Sequence, residues 1–141
     1  MATIPTVFKP ARELAKLLRS RKLSASELLG LCLDQYMKHN DRLNAVVVTD
    51  IDRARKEAAA ADQRLAKGKT RGPFDGIPMT IKESFDWRGT PSTWGDPKLR
   101  DNIATADAVA VTRLTAAGAN VYGKTNVPLM LADWPSYNDI Y

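Results

Sequence analysis

Short β-branched or apolar runs alternate along this 141-residue chain with longer segments of helical pattern, and this alternation limits the folds it can adopt. Strands are predicted at 45–49, 76–82 and 120–122, and helices at 10–20, 24–40, 52–67 and 105–117. Helices between strands are typical of crossover connections that pack against a sheet. The pattern therefore predicts an α/β fold.

Local signals support several of these helix ends. Ser24 and Glu27 form a capping box in front of the second helix, and Gly68 and Gly118 follow two later helices, where glycine is favoured.

The length is sufficient for one domain with its own core. We expect a single domain at 1–141, with a helical segment at about 10–40 and the start of the α/β core at about 45–141.

Basic residues are concentrated near the N-terminus, although the net charge is only +5, from 21 Lys and Arg against 16 Asp and Glu. Arg12, Lys16 and Arg19 share one face of the first helix. A nucleic acid or a membrane surface could use such a face, but a solvated face of an amphipathic helix is the commoner explanation. The three tryptophans lie far from this cluster in sequence and offer it no stacking platform. We therefore expect no nucleic-acid partner.

The chain has one cysteine and one histidine. Cys32 lies in an apolar helical stretch and is interpreted as a small core residue rather than a thiol nucleophile. A single cysteine allows no disulfide within the chain, which fits a reducing compartment. His39 alone supplies no histidine-based dyad or metal site, and we expect neither metal nor cofactor.

The N-terminus lacks a basic segment followed by an apolar run, and no run approaches the ~18 apolar residues of a membrane span. The sequence predicts a cytoplasmic protein without a membrane span.

Residues 118–125 match the P-loop pattern G-x-x-x-x-G-K-[ST] letter for letter. A P-loop needs a strand before the first glycine and a helix after the Lys-Thr pair, so that backbone N–H groups surround a phosphate. Here a predicted helix precedes Gly118, and a predicted strand occupies the middle of the pattern. We therefore expect no binding of ATP or GTP.

Lys82 ends the predicted strand 76–82, and a turn-rich stretch follows it. Most lysines just after a strand point into water. A lysine at the inner end of a buried strand is different, because burial favours the neutral amine and a neutral amine is a usable general base. The residues alone favour the solvated alternative and leave both open.

Several separated blocks place Lys82 in a wider pattern. They are 76–82, 89 with 92–95, 107–108 with 114, 117–119, and 123–128. In this order and spacing they resemble the N-terminal part of the amidase signature family, from about the second helix to Tyr141. The resemblance implies an incomplete amidase-signature fold, in which N-terminal helices precede part of a mixed central β-sheet covered by helices. It also explains the Gly-Lys-Thr block, which has no phosphate role in that family.

By this resemblance, Lys82 is the catalytic lysine of a Ser-Ser-Lys amide hydrolase. One serine attacks the amide carbonyl, and a second serine, held by a cis peptide bond, relays the proton to the lysine, which later returns a proton to the departing amine. Leu131 falls near a position that lines the acyl channel in fatty-acid-amide members, although core packing is the simpler explanation. The implied substrate is a small-molecule amide, and a homodimer of the complete protein is conceivable.

The chain also departs from the family pattern. Glu83 stands where many members have aspartate, and Asp96 stands where many have serine. The sequences around Glu83 and at 127–131 look more like general or fatty-acid-amide-type amidases than like transamidase subunits that act on misacylated tRNA.

The family's glycine- and serine-rich stretch, which supplies both catalytic serines and the oxyanion-hole amides, follows the segment matched by 136–141. Ser84, Ser92 and Ser136 do not lie in such a context. We therefore expect an N-terminal portion that is inactive alone and exposes apolar surface. The alternatives are a non-catalytic subunit completed by a separate C-terminal piece, and a glutaminase subunit like the one in glutamyl-tRNA(Gln) amidotransferase.

Overall fold

A computed structural model describes residues 4–141. Its helices are α1 (Ala11–Arg19), α2 (Ala25–Leu43), α3 (Ile51–Ala66) and α4 (Val109–Ala116), and its strands are β1 (Val46–Thr49), β2 (Pro78–Lys82) and β3 (Asn120–Thr125). Single 3₁₀ turns occur at Thr6–Phe8, Pro97–Leu99 and Leu129–Leu131.

The three strands form one mixed sheet with β3 in the centre, parallel to β2 and antiparallel to β1. Both faces of β3 are largely buried, as expected for a central strand. The predicted α/β fold with part of a mixed sheet is confirmed. Strand β3 is longer than predicted and continues through Gly123 and Lys124 to Thr125.

Two helices end elsewhere than the sequence predicted. Helix α2 runs to Leu43, because Asn44 takes a left-handed conformation (φ 47°) and its backbone N–H donates to the carbonyl of Asn40. Helix α4 begins at Val109 instead of 105, because the Asp107 carboxylate accepts a hydrogen bond from the Arg88 amide at 2.7 Å and holds the preceding residues outside the helix.

The apolar core has two parts. Helices α1, α2 and α3 pack together through Leu18, Leu28, Ala54 and neighbouring residues, and Ile77 joins them to the sheet. A second cluster holds Ile81, Trp87, Val111 and Val121 on β2, β3, α4 and the loop after β2. The sheet therefore lies between two apolar layers, and the C-terminal ends of β2 and β3 open toward the loop that follows β2.

Helix α1 has the expected amphipathic form. Arg12, Lys16 and Arg19 lie on its outer side, while Leu14 and Leu18 are buried. Within residues 4–141, no helix combines the length and apolar composition needed to cross a bilayer.

Candidate active site

Lys82 is the last residue of β2, and Thr125 at the end of β3 is its partner in the parallel register. Its side chain is exposed, so the part of the chain that the structure describes leaves the amine open to solvent. The sheet fixes the backbone on both sides of this position, because the next amide, that of Glu83, also donates to the Thr125 carbonyl at 2.9 Å.

Glu83 points the opposite way from Lys82 and is fully buried. Its Oε1 accepts hydrogen bonds from the Thr93 amide (2.6 Å), the Thr93 hydroxyl (2.9 Å) and the Tyr141 hydroxyl (2.9 Å). Its Oε2 accepts one from the Trp94 amide at 3.0 Å. Four donors on one carboxylate satisfy a group that would otherwise be costly to bury.

The Glu83 carboxylate stabilises an unusual turn. Trp94 (φ 54°) and Gly95 (φ 69°) both lie in the left-handed region, which a residue with a side chain rarely adopts. The Thr93 hydroxyl also accepts a hydrogen bond from the Gly95 amide at 3.2 Å. The turn therefore depends on polar contacts with a strand end more than on its own backbone preference.

The same turn contacts the segment that contains Leu131. The Trp94 carbonyl accepts a hydrogen bond from the Met130 amide at 2.7 Å. Met130 (φ 50°) and Leu131 (φ 60°) are also left-handed, and Leu131 is half-buried. A continuous path of backbone and hydrogen bonds thus leads from Lys82 through Glu83 and Trp94 to Leu131.

Lys124 on β3 is fully buried beside the same loop. Its Nζ donates to the Pro91 carbonyl and to the Ser92 hydroxyl, the latter at 2.9 Å. Burial lowers the pKa of Lys124 to about 8, against the opposing effect of the carboxylates of Glu83 and Asp86. The buried lysine of this region is therefore Lys124, and Lys82 is the exposed one.

The order of elements expected around the P-loop match is present. Helix α4 precedes Gly118, and Asn120–Thr125 forms β3, so no loop of amides surrounds the Lys124 side chain in the described residues. Gly118 (φ +95°) is required by its surroundings instead, since a Cβ there would lie 2.5 Å from the Cα of Asp75.

The serines of the described chain differ in accessibility. The Ser92 hydroxyl is buried and occupied, since it accepts from Lys124 and donates to the Phe85 carbonyl at 3.4 Å. Ser84 is half-buried and Ser136 is exposed. Burial raises the pKa of the half-buried Cys32 thiol, which disfavours its thiolate.

A large cavity, about 450 Å³, lies elsewhere, between α2 and β1. Cys32, Tyr36, His39 and Tyr122 contribute to its walls, and Lys82 and Leu131 do not. Across residues 4–141, no group of three or more His, Cys, Asp or Glu side chains is placed to hold a metal ion.

Sequence reasoning identified Lys82 but missed the buried pair beside it. Glu83 was noted only as a departure from aspartate, and Lys124 only as part of the P-loop match. The alternation of β2 carried the signal for Glu83, since its side chain falls on the same face as the buried Ile81. The signal for Lys124 required knowing that β3 is a central strand.

Comparison with known proteins follows this geometry. The family described as Amidase matches residues 27–140. An indoleacetamide hydrolase from Bradyrhizobium diazoefficiens is 45% identical over 118 residues, which cover 84% of this chain and 22% of that protein. A glutamyl-tRNA(Gln) amidotransferase subunit from Anaeromyxobacter sp. (strain K) is 36% identical over 126 residues, covering 84% and 26%.

A solved structure of a fatty acid amide hydrolase superposes with a TM-score of 0.89 at 27% identity, over 98% of this chain and 25% of that one. The chain therefore spans about a quarter of the length of these proteins.

Proposed function

The chain belongs to the amidase signature family, and on that premise we propose that residues 1–141 form the N-terminal part of an amide hydrolase domain in which Lys82 is the general base. The observation that carries the proposal is the position of Lys82. It is the last residue of a strand paired to the centre of the sheet, within the matched part of the chain, and its amine is accessible.

In the proposed reaction, a serine from the part of the family domain outside these residues transfers its hydroxyl proton, through a second serine, to the neutral Nζ of Lys82. The serine oxygen then bonds to the amide carbon. Lys82 returns a proton to the nitrogen as the carbon–nitrogen bond breaks, and water releases the acyl group as a carboxylate. Ser92 is excluded as the attacking group in this proposal, because its hydroxyl is buried against Lys124.

Leu131 is proposed to contact the substrate. It is half-buried beside Leu129 and Met130, both of which are exposed. These apolar side chains favour a small-molecule amide with an apolar acyl group over a strongly polar one. Core packing of Leu131 against the rest of the domain is the competing explanation.

The test joins residues 1–141 to the remaining part of the Bradyrhizobium indoleacetamide hydrolase and measures ammonia release from indoleacetamide. We expect Lys82→Ala to lower kcat by about 10²–10⁴-fold, the usual contribution of a general acid–base group. Lys56→Ala, which removes an exposed lysine from α3, is the matched control and should leave kcat unchanged. Full activity of the Lys82→Ala protein would overturn the proposal, as would amide hydrolysis by residues 1–141 alone.

A glutaminase remains the second candidate, since the chain is 36% identical to a glutamyl-tRNA(Gln) amidotransferase subunit. The same residues joined to the remainder of that protein provide the comparison. Ammonia release from glutamine by this second protein, without activity in the first, would favour the glutaminase alternative.

A further inference from the structure

The buried carboxylate of Glu83 has more partners than its own burial requires. Its two oxygens divide them unequally: Oε1 accepts three hydrogen bonds, from Thr93 and Tyr141, and Oε2 accepts one, from the Trp94 amide. The single bond to Oε2 is the one that leads onward, because the Trp94 carbonyl accepts from Met130.

Three residues along this path have a strained backbone. Trp94, Met130 and Leu131 all have positive φ without being glycine, and such residues persist only where the surroundings hold them. Trp94 is 39% exposed and Met130 is 51% exposed, so apolar packing holds them weakly. Within the described residues, the hydrogen bonds from Trp94 to Glu83 and from Met130 to Trp94 are the contacts that keep this path in place.

The other end of the loop is held separately. Lys124 binds Pro91 and Ser92, so the chain on the N-terminal side of the turn does not depend on Glu83. The backbone of Lys82 does not depend on the Glu83 side chain either, because β2 pairs with β3 through main-chain bonds.

We propose that Glu83 is a positioning residue: its carboxylate holds the Trp94 turn, and through it the segment Leu129–Leu131, in a fixed place relative to Lys82. The inference rests on the proposed function, because the segment it positions is the one proposed to contact the substrate. Glu83 acts through Trp94 and Met130 and touches no reacting atom. Loss of its charge should therefore weaken substrate binding and spare the chemical step.

Glu83→Gln separates the two oxygens. The glutamine carbonyl can replace only one carboxylate oxygen, and it retains most bonds by taking the place of Oε1. Its NH₂ group then faces the Trp94 amide, and two donors oppose each other. The substitution should cut the path at Trp94 while the bonds to Thr93 and Tyr141 remain.

Two measurements test the proposal. In the 141-residue chain, amide hydrogen exchange by NMR should be about tenfold or more faster at Trp94 and Met130 in Glu83→Gln, with exchange in α2 unchanged. In the joined enzyme described above, KM should rise about tenfold while kcat stays within about twofold. Tyr141→Phe is the matched control, since it removes one donor to Oε1 and leaves the Trp94 bond, and it should change neither quantity.

The contrary outcomes are equally defined. Uniformly faster exchange throughout the chain, or an unchanged KM, would mean that Glu83 only stabilises the core and would overturn the proposal. If Glu83→Gln does not fold, Thr93→Val decides by the same two measurements, because it removes a hydroxyl donor at the same turn. An inactive parent enzyme would contradict the proposed function instead, and the exchange result would still support or overturn the path through Trp94.

Discussion

At the scale of single residues, Lys124 and Glu83 are opposite charges buried at neighbouring strand ends, each with its own hydrogen-bond partners. Between them they hold the two sides of the loop that follows β2. Charges buried in this way cost free energy unless each is paired or hydrogen-bonded, and a remaining cost appears as a shifted pKa.

Lys124 therefore predicts how stability depends on pH. Its pKa is about 8 in the folded chain against 10.5 in the unfolded chain, so the folded state loses the proton first. Stability attributable to Lys124 should be lowest below pH 8 and rise by up to about 3 kcal/mol as the pH approaches 10.5, at about 1.4 kcal/mol for each pKa unit. Urea unfolding of the wild type and of Lys124→Met at several pH values between about 7 and 10 measures it.

Only the difference between the two proteins matters in that experiment, because Cys32 and Tyr122, whose pKa values are raised by burial, titrate in both. Curves that remain parallel across this range would contradict the prediction.

The same residues show what sequence could and could not predict about the site. Lys82 was identified because a strand end is visible in the sequence and the neighbouring blocks have a family pattern. The roles of Glu83 and Lys124 depend on contacts with residues 93–94 and 91–92, and no local pattern encodes which loop returns to which strand. Fixing such contacts requires the tertiary structure.

At the scale of elements, the helices were predictable because capping residues and apolar periodicity are local. The Ser24 hydroxyl accepts from the Glu27 amide and the Glu27 carboxylate accepts from the Ser24 amide, as the capping box predicted. The predicted ends of α2 and α4 were wrong because Asn44 and Asp107 settle them through a left-handed conformation and a tertiary contact that composition does not reveal.

Two glycines should respond oppositely to the same substitution. Gly118→Ala should lower the free energy of unfolding by about 2–4 kcal/mol, because alanine resists the positive φ and its Cβ would collide with Asp75. Gly30→Ala, inside α2 with no atom within 4 Å of the added Cβ, should raise it by about 0.5–1 kcal/mol. Urea unfolding of both variants checks the pair, and a stabilising Gly118→Ala would show that β3 and the preceding turn are placed differently.

At the scale of the whole molecule, large apolar side chains remain on the surface. Trp134 is 98% exposed and Tyr137 is 75% exposed, and Val109 and Leu129 are more than half exposed. The chain spans about a quarter of the length of its relatives, so these side chains lie where the rest of such a domain could cover them. Exposed apolar surface of this kind favours association.

We therefore expect the 141-residue chain to associate with rising concentration, and light scattering should show this mass increase. Added salt should strengthen the association, because it screens the repulsion between copies that each carry a net charge of +5 and leaves apolar contacts intact. Replacing Trp134 and Tyr137 together by serine should shift the population toward the monomer, while Lys56→Ala, on exposed α3 surface, should not. Association that weakens with salt, or that persists in the serine variant, would point to charged contacts and would separate the behaviour of this surface from the apolar residues at 129–137.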